Sequence, residues 1–327
     1  MKRDLDHLLE IGDLDGLIRL IDELCKDESW SDLEDVAIRS RQANERGQQL
    51  WPAGDHAEHR LALESPGEFA ARAVNRDAQT FGLAPLTEVA ASSHTWEELS
   101  PSLNSGPLRS LVIHERVFRG EDLTEVEIAE DPLGLPLVLA GWEQSVEPPD
   151  IKKYEVDDPS PSINNLDSFP LPKPGVVTHD SGTEALRNLI QTWTSQSNGR
   201  SAAVRVYGDA TTAISSLGVN EVKAKKVSIS EMWGHLVWAA SSGGAYGRRP
   251  GCAKGRFEAW WCAVALAGLD QEEVWPPLTL ELEEALTEMN WWIWDDDSLS
   301  KGWSLRIAVE DPVDGLSWAL TAEDTRE

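Results

Sequence analysis

Residues 228–268, SISEMWGHLVWAASSGGAYGRRPGCAKGRFEAWWCAVALAG, read as two apolar helices joined by a short, glycine-rich, basic loop, and the second half of the chain has to be built around them. Ser228 with Glu231 three residues on is a capping pattern that starts the first helix. At 100° per residue Ile229, Met232, Trp233, Leu236, Val237 and Ala240 fall on one side of it, and Glu231, His235, Trp238 and Ser242 on the other. The second helix is apolar nearly all round after Glu258, as expected of a central core helix. Its small residues Gly255, Ala259 and Cys262 form a row along which another helix can approach closely. In the loop, Gly243, Gly244, Gly247 and Gly251 are expected to supply the positive φ angles of a tight reversal. Arg248, Arg249, Lys254 and Arg256 follow with no acid between Arg248 and Arg256, and Lys223, Lys225 and Lys226 lie just upstream. This is the one sustained basic island of the chain.

That island stands out because 57 Asp and Glu outnumber 29 Lys and Arg, for a formal charge of −28 over 327 residues. So negative a chain repels phosphate backbones and anionic lipid, so neither nucleic acid nor membrane is expected as a partner. With 41% hydrophobic residues the chain has enough apolar surface to fold, and its length suggests two domains. Cys25, Cys252 and Cys262 form no C-x-x-C pair and leave one over, which indicates neither a disulfide framework nor a zinc site. The N-terminal MKRDLDHLLE lacks the apolar core of a signal peptide, and no apolar run approaches the roughly 20 residues that span a bilayer. A soluble cytoplasmic protein is expected, with no cofactor.

The expected fold class is α+β: an N-terminal all-α helical array followed by a smaller α+β domain with a mainly antiparallel sheet. Residues 1–145 form the helical domain in this reading, with start signals at Ser31/Glu34, Ser65-Pro66/Glu68 and Thr95/Glu98. Leu133, Leu135, Leu137 and Leu139 alternate and suggest a short edge strand. Seven prolines between Val146 and Gly175 mark a linker over 146–175. The tryptophan-rich domain then covers 176–327, with a helix opened by Ser181 and Glu184, a strand at Ala202–Tyr207, a short helix from Asp209 to Leu217, and another from Glu281 to Met289. NWWIWDDD, GWSLRIAVED and GLSWALTAED close it as an antiparallel meander. Trp291 and Trp292 alternate, so at least one face of that sheet needs cover from another domain, a partner or a ligand; the N-terminal helices are the expected source, with a partner or an aromatic-walled pocket as the alternative.

Three fragments, SSHTWEEL at 92–99, VIHERVFRGEDLT at 112–124 and WAASSGGAYGRRPGCAKGRFEAWW at 238–261, resemble an uncharacterised family of proteins from high-GC Gram-positive bacteria. The resemblance implies a bacterial cytoplasmic origin and carries no activity or site residue.

The basic loop is the candidate ligand site: Gly244, Gly247, Arg248, Arg249, Lys254, Arg256 and Trp238 would hold a phosphate or carboxylate on loop amides, a helix start and cationic side chains. The plain alternative is that the island neutralises internal acids such as Asp295, Asp296 and Asp297. Glu231 and His235 are a possible acid-oriented base, or an ordinary surface pair. His56 and His59 sit three apart without an H-E-x-x-H pattern, which points to structural histidines and to no metal. Two functions follow: an interaction or regulatory protein whose acidic field and aromatic anchors fit a basic protein partner, or an enzyme or sensor for a small anion, with the loop at 243–256 as clamp.

Overall fold

The first half of the chain winds into helices because its leucines recur at helical spacing and polar residues cap the turns. The computed structural model describes residues 2–45, 47–76, 82–143, 146–270, 275–276, 279–296 and 302–326. Among the described residues, eight helices come first: α1 (Lys2–Ile11), α2 (Leu14–Lys26), α3 (Trp30–Glu45), α4 (Trp51–Glu64), α5 (Gly67–Arg76), α6 (Leu86–Ser93), α7 (Trp96–Leu99) and α8 (Pro107–Phe118). In α2 the Asp13 carboxylate accepts from the Gly16 amide at 2.9 Å, and Leu17, Ile21, Leu24 and Cys25 form the buried stripe. Thr95 and Glu98 make both halves of a capping box at α7, as expected. At α3 the start comes earlier than Ser31: the Ser29 carbonyl accepts the amides of Asp32 and Leu33. Glu34 is instead an acceptor for Arg72 at 3.0 Å and Arg76 at 2.5 Å.

The central helix of this unit is α4, nearly all of whose residues from Ala53 to Ala62 are buried. Gly54 faces α3, where a Cβ would meet the Arg41 Cγ at 3.1 Å and stand at contact distance, 3.4 Å, from the Ala37 carbonyl oxygen. Charge goes inside with it, always with a partner: buried Glu58 takes Arg41 and Arg76, and Arg60 takes Asp22 at 2.5 Å and Glu64 at 2.6 Å. Burial of an unpaired ion would cost several kcal/mol, so these pairs are a condition of the packing. A two-stranded hairpin, β1 (Asp150–Ile151) and β2 (Val156–Asp157), belongs to the same unit and contributes Ile151 to its core. Leu133–Leu139, expected as an edge strand, contains no strand: Gly134 at φ +60° and Pro136 break the extended run.

The chain forms two compact units, residues 1–132 with 149–157, and residues 133–148 with 158–327. The proline-rich stretch 146–175 is thus divided between them. By residue count the unit with the sheet is the larger of the two rather than the smaller.

That second unit contains β3 (Asp167–Phe169), α9 (Ser181–Asn188), α10 (Gln191–Gln196), β4 (Arg200–Tyr207), α11 (Ala210–Ser215), β5 (Val222–Val227), α12 (Ile229–Ser241), α13 (Cys252–Leu266), α14 (Thr279–Glu288), β6 (Asn290–Asp295), β7 (Trp303–Asp311) and β8 (Leu316–Asp324). The order in the six-stranded sheet is β3-β5-β6-β7-β8-β4, and every pairing is antiparallel. The meander β6-β7-β8 lies where the turn signals put it. The expected single helix from Ser181 is two, and its first cap is Asp180, whose carboxylate accepts the Thr183 amide at 2.9 Å.

Side chains alternate across this sheet. On one face Trp291, Val309 and Trp318 stand in register, with the Trp318 indole donating to Asp180 at 3.1 Å and the Trp291 indole to the Leu286 carbonyl at 2.9 Å. On the other, Trp294, Ala308, Ala319, Val204 and Val206 pack with Ala210, Ala213 and Ile214 of α11. The half-buried Trp292 meets Phe169 edge-on at 5.5 Å. The cover for the second face therefore comes from inside this unit, from α11 and β3, where the N-terminal helices were expected.

Candidate functional site

Helices α12 and α13 pack side by side, and the glycine-rich loop joins them as expected. Only Gly244 at φ +68° and Gly251 at +96° use the left-handed region in this loop. Gly243 and Gly247 are needed for another reason: a Cβ on Gly243 would stand 2.2 Å from the Gly247 carbonyl oxygen, and one on Gly247 would stand 2.4 Å from that of Gly243. The row on α13 is real as well. A Cβ on Gly255 would lie 2.7 Å from the Ser241 Cβ and 2.9 Å from the Val237 carbonyl oxygen, and Ala259 and Cys262 are fully buried.

Three of the loop's amides have partners within the unit. The Ala245 amide donates to the buried Asp324 carboxylate at 2.6 Å, the Tyr246 amide to Ser197 Oγ at 3.1 Å, and the Arg248 amide to Gln196 Oε1 at 3.2 Å. Asp324 is thus an internal anion held at the Ala245 amide of the loop. Arg249 pairs with Asp158, whose carbonyl also accepts the Trp238 indole at 3.3 Å. Arg256 is fully buried and bidentate to Glu143, at 2.7 Å through Nε and 2.9 Å through Nη2; it also donates to the Pro136 carbonyl at 3.0 Å and the Val138 carbonyl at 3.3 Å. The Trp260 indole donates to the same Glu143 at 2.8 Å, and Trp142 stacks edge-on against Trp233 at 4.5 Å. Arg256 thereby pins residues 136–143 to α13. The side chains of Arg248 and Lys254 are exposed. Asp295 and Asp296 are engaged by Arg306, at 3.4 and 3.3 Å, and Asp297 lies outside the described residues.

The face of α12 expected to carry a base is buried: His235, Trp238 and Ser242 are all below 7% exposed. Ser228 caps the helix, accepting the Glu231 amide at 3.2 Å. The Glu231 carboxylate goes to Lys225 Nζ at 2.5 Å. Burial pushes the His235 imidazole down to about 4, only partly offset by the nearby Glu231 charge, so it is neutral near pH 7 and a weak base. Ser242 accepts the Trp193 indole at 3.0 Å.

In the helical unit, His56 and His59 are positioned by α4 and line a cleft of about 130 Å³ together with Trp51, Pro52, Asp55, Gly82 and Leu83. The His56 ring stacks on Tyr154 of the β1–β2 hairpin at 5.2 Å, and His59 Nε2 donates to the Lys152 carbonyl at 2.9 Å. Desolvation pushes His56 down to about 4 and lowers His59 also. Sequence spacing identified these two histidines but not the cleft, whose other wall comes from Gly82 and Leu83 ahead of α6.

A family model described as a family of unknown function, DUF6183, matches residues 15–326. The chain belongs to that family. No curated protein and no solved structure matches it. The match runs through both units of this DUF6183 protein, so the hairpin of α12 and α13, the sheet and the histidine cleft all fall within the span that defines the family. Among the described residues, no helix is long and apolar enough to cross a membrane.

Proposed function

We propose that this DUF6183 protein is a non-enzymatic interaction or regulatory protein of the bacterial cytoplasm that binds a basic protein partner. The observation that carries the proposal is where the cations go. The side chains of Arg41, Arg60, Arg119, Arg249, Arg256 and Arg306 are each less than a fifth exposed and ion-paired within the protein. With 57 acids against 29 bases, arginines spent on internal pairs leave the surplus carboxylates to dominate the surface. The outer side of α14 is one example, with Glu281, Glu283, Glu284 and Glu288 exposed and no basic residue in its last turn. Such a field speeds encounter with a cationic partner and repels nucleic acid. The amides of Ala245, Tyr246 and Arg248 and the side chains of Arg249 and Arg256 have acceptors within the protein, which is why the partner reading is preferred to an anion-processing enzyme.

The test is capture of the native complex by the full-length chain at low salt, followed by a salt ramp and association kinetics. A partner of high isoelectric point, released by a few tenths molar salt and associating at least about tenfold more slowly as the Debye length shortens, is the expected outcome. A partner of acidic or neutral charge, or association indifferent to ionic strength, would overturn the proposal.

A further inference from the structure

The six-stranded sheet ends at β4, and the segment that leads into α9 extends that edge. Thr178 exchanges both backbone hydrogen bonds with Arg205, its amide donating at 2.8 Å and its carbonyl accepting at 3.1 Å. Gly175 lies beside the same strand: a Cβ on it would stand 3.2 Å from that of Val206, and its amide donates to Ser216 Oγ at 2.9 Å. Residues 175–178 therefore run along the outside of β4. Because Thr178 turns its own N–H and C=O toward β4, the alternation of an extended chain turns those of Val177 and His179 outward. Both residues are exposed, and among the described residues neither backbone has a hydrogen-bond partner. Farther back along β4 the edge is occupied, since Arg187 donates to the Ala203 carbonyl at 3.1 Å. The open run is also apolar. Val176 is 83% exposed and Val177 41%, and Tyr207, at 69%, follows the Val206 that Gly175 touches. Val313, in the β7–β8 turn, is 76% exposed, and the Gly208 amide holds that turn to the end of β4 by donating to the Gly315 carbonyl at 3.0 Å. Native edges are normally guarded by charge, because apolar side chains on unpaired backbone invite another strand. The opposite edge, β3, shows the polar Asp167 and Ser168 to solvent.

We infer that this edge is the docking site for an extended segment of a basic partner, which joins the sheet as a further strand by bonding the outward N–H and C=O groups of Val177 and His179. Its apolar side chains lie against Val176 and Tyr207. In strand addition the main-chain bonds supply the hold, and the side chains around the edge choose the partner. Here that surround is acidic. Asp209 and Asp314 are exposed and Glu310 and Asp311 half-buried, against the exposed Lys173, while Arg205 is tied to Asp180 at 3.0 Å. A strand carrying lysine or arginine between apolar residues meets both features of the edge. A second copy of this chain does not, because it would bring the same acids and its own charge of −28 against them. The inference rests on the basic-partner reading above and adds where, and by which contacts, that partner is held.

A synthetic peptide of about eight residues alternating lysine and valine is a suitable probe. One control is the same peptide N-methylated at its central residues, which keeps the charge but cannot pair along either edge; the other alternates glutamate and valine. Titrated into the full chain at low salt, the lysine peptide is expected to bind with a Kd below about a millimolar, to move the amide resonances of Val177 and His179 and to slow their hydrogen exchange. N-methylation is expected to weaken it at least about tenfold, and so is Val177→Pro, which removes the outward N–H. Should that variant lack the wild-type melting transition, Val176→Lys, which leaves the backbone unchanged at an exposed position, decides in the same way. A methylated peptide that binds as tightly as the parent peptide, or binding unchanged in the variant, would reduce the contact to charge attraction; that overturns the edge and leaves the basic-partner reading standing. A glutamate peptide that binds as tightly as the lysine one would overturn both. No binding of the lysine peptide at several millimolar overturns the edge alone, since capture of the native complex still decides the partner's charge. Sedimentation that shows a dimer of the parent, dissolved by Val177→Pro, would give the edge to a second copy and overturn the inference as well.

Discussion

His235 is a side chain whose chemistry is set by where the helix puts it. On the helical wheel it shares a side with Glu231, Trp238 and Ser242; in the protein it is 5% exposed and its conjugate acid is pushed down to about 4 by desolvation. The unfolded chain takes up this proton near pH 6.5 and the folded one only near 4, so between those values the unfolded state binds more protons and stability falls as pH falls. The contribution is complete above pH 6.5 and lost by about pH 4, and amounts to about 3 kcal/mol. His235→Phe removes the titration. Urea unfolding at pH 7 and pH 4.5 is expected to show a smaller loss in the variant than in the parent, while parallel losses would mean that His235 is already charged when folded. Helical spacing could place His235 on a side of α12, but not say that the side was buried. The same limit hid Asp324, Asp158 and Glu143, which meet the basic island across 79, 91 and 113 residues of sequence. A reading by local spacing sees four cations and four glycines without acids among them, and has no means of locating the acids that answer them.

Among the elements, those made by local chemistry were legible and those made by long-range pairing were not. The α12–α13 hairpin, the capping box at Thr95 and Glu98 and the β6-β7-β8 meander follow from caps, turns and periodicity. Strand β5 was hidden because Lys223, Lys225 and Lys226 read as a charged surface; in the sheet it lies between β3 and β6, with Lys225 opposite Ile293 and Lys226 opposite Trp292. Long lysine stems can cover such apolar neighbours while their ammonium groups reach water. The row of small residues on α13 gives a sharp test at this scale. Gly255→Ala introduces a methyl group 2.7 Å from the Ser241 Cβ and 2.9 Å from both the Ser241 amide nitrogen and the Val237 carbonyl oxygen. Backbone cannot step aside as a flexible side chain can, so α12 and α13 must move apart. The intrinsic helix preference of alanine over glycine, about 1 kcal/mol, works in the opposite direction. Overpacking is expected to prevail, for a net loss of about 1–3 kcal/mol in urea unfolding. A variant more stable than the parent would show that the helices have slack at this contact.

At the scale of the molecule the decisive feature is the path of the chain, which passes between the two units at 132/133, 148/149 and 157/158. The prolines that mark 146–175 in the sequence do not make it uniform. Residues 150–157 are held by strand pairing, by Tyr154 donating to Asp22 at 2.7 Å and by the His59 bond to Lys152. After Asp158, which is tied to Arg249, residues 159–166 have no secondary structure and are mostly exposed, with Asn165 at φ +57°. A protease needs an extended stretch of about a dozen residues free of hydrogen bonds that resist its opening, and 159–166 with its flanks comes closest to that condition. The prolines at 159 and 161 protect their own bonds, which leaves Ile163 and Leu166 as the sites for thermolysin, an enzyme that cuts before large apolar residues. Limited digestion in native buffer is expected to cut first before one of these two, and to leave 243–251 intact, because the amides of Ala245, Tyr246 and Arg248 are all bonded. Mass spectrometry of the earliest fragments reads the result directly. A first cut within the α12–α13 loop while 159–166 stays whole would mean that the bonds to Asp324, Ser197 and Gln196 do not hold the loop in solution, and would reopen that loop as a surface free to take an anion.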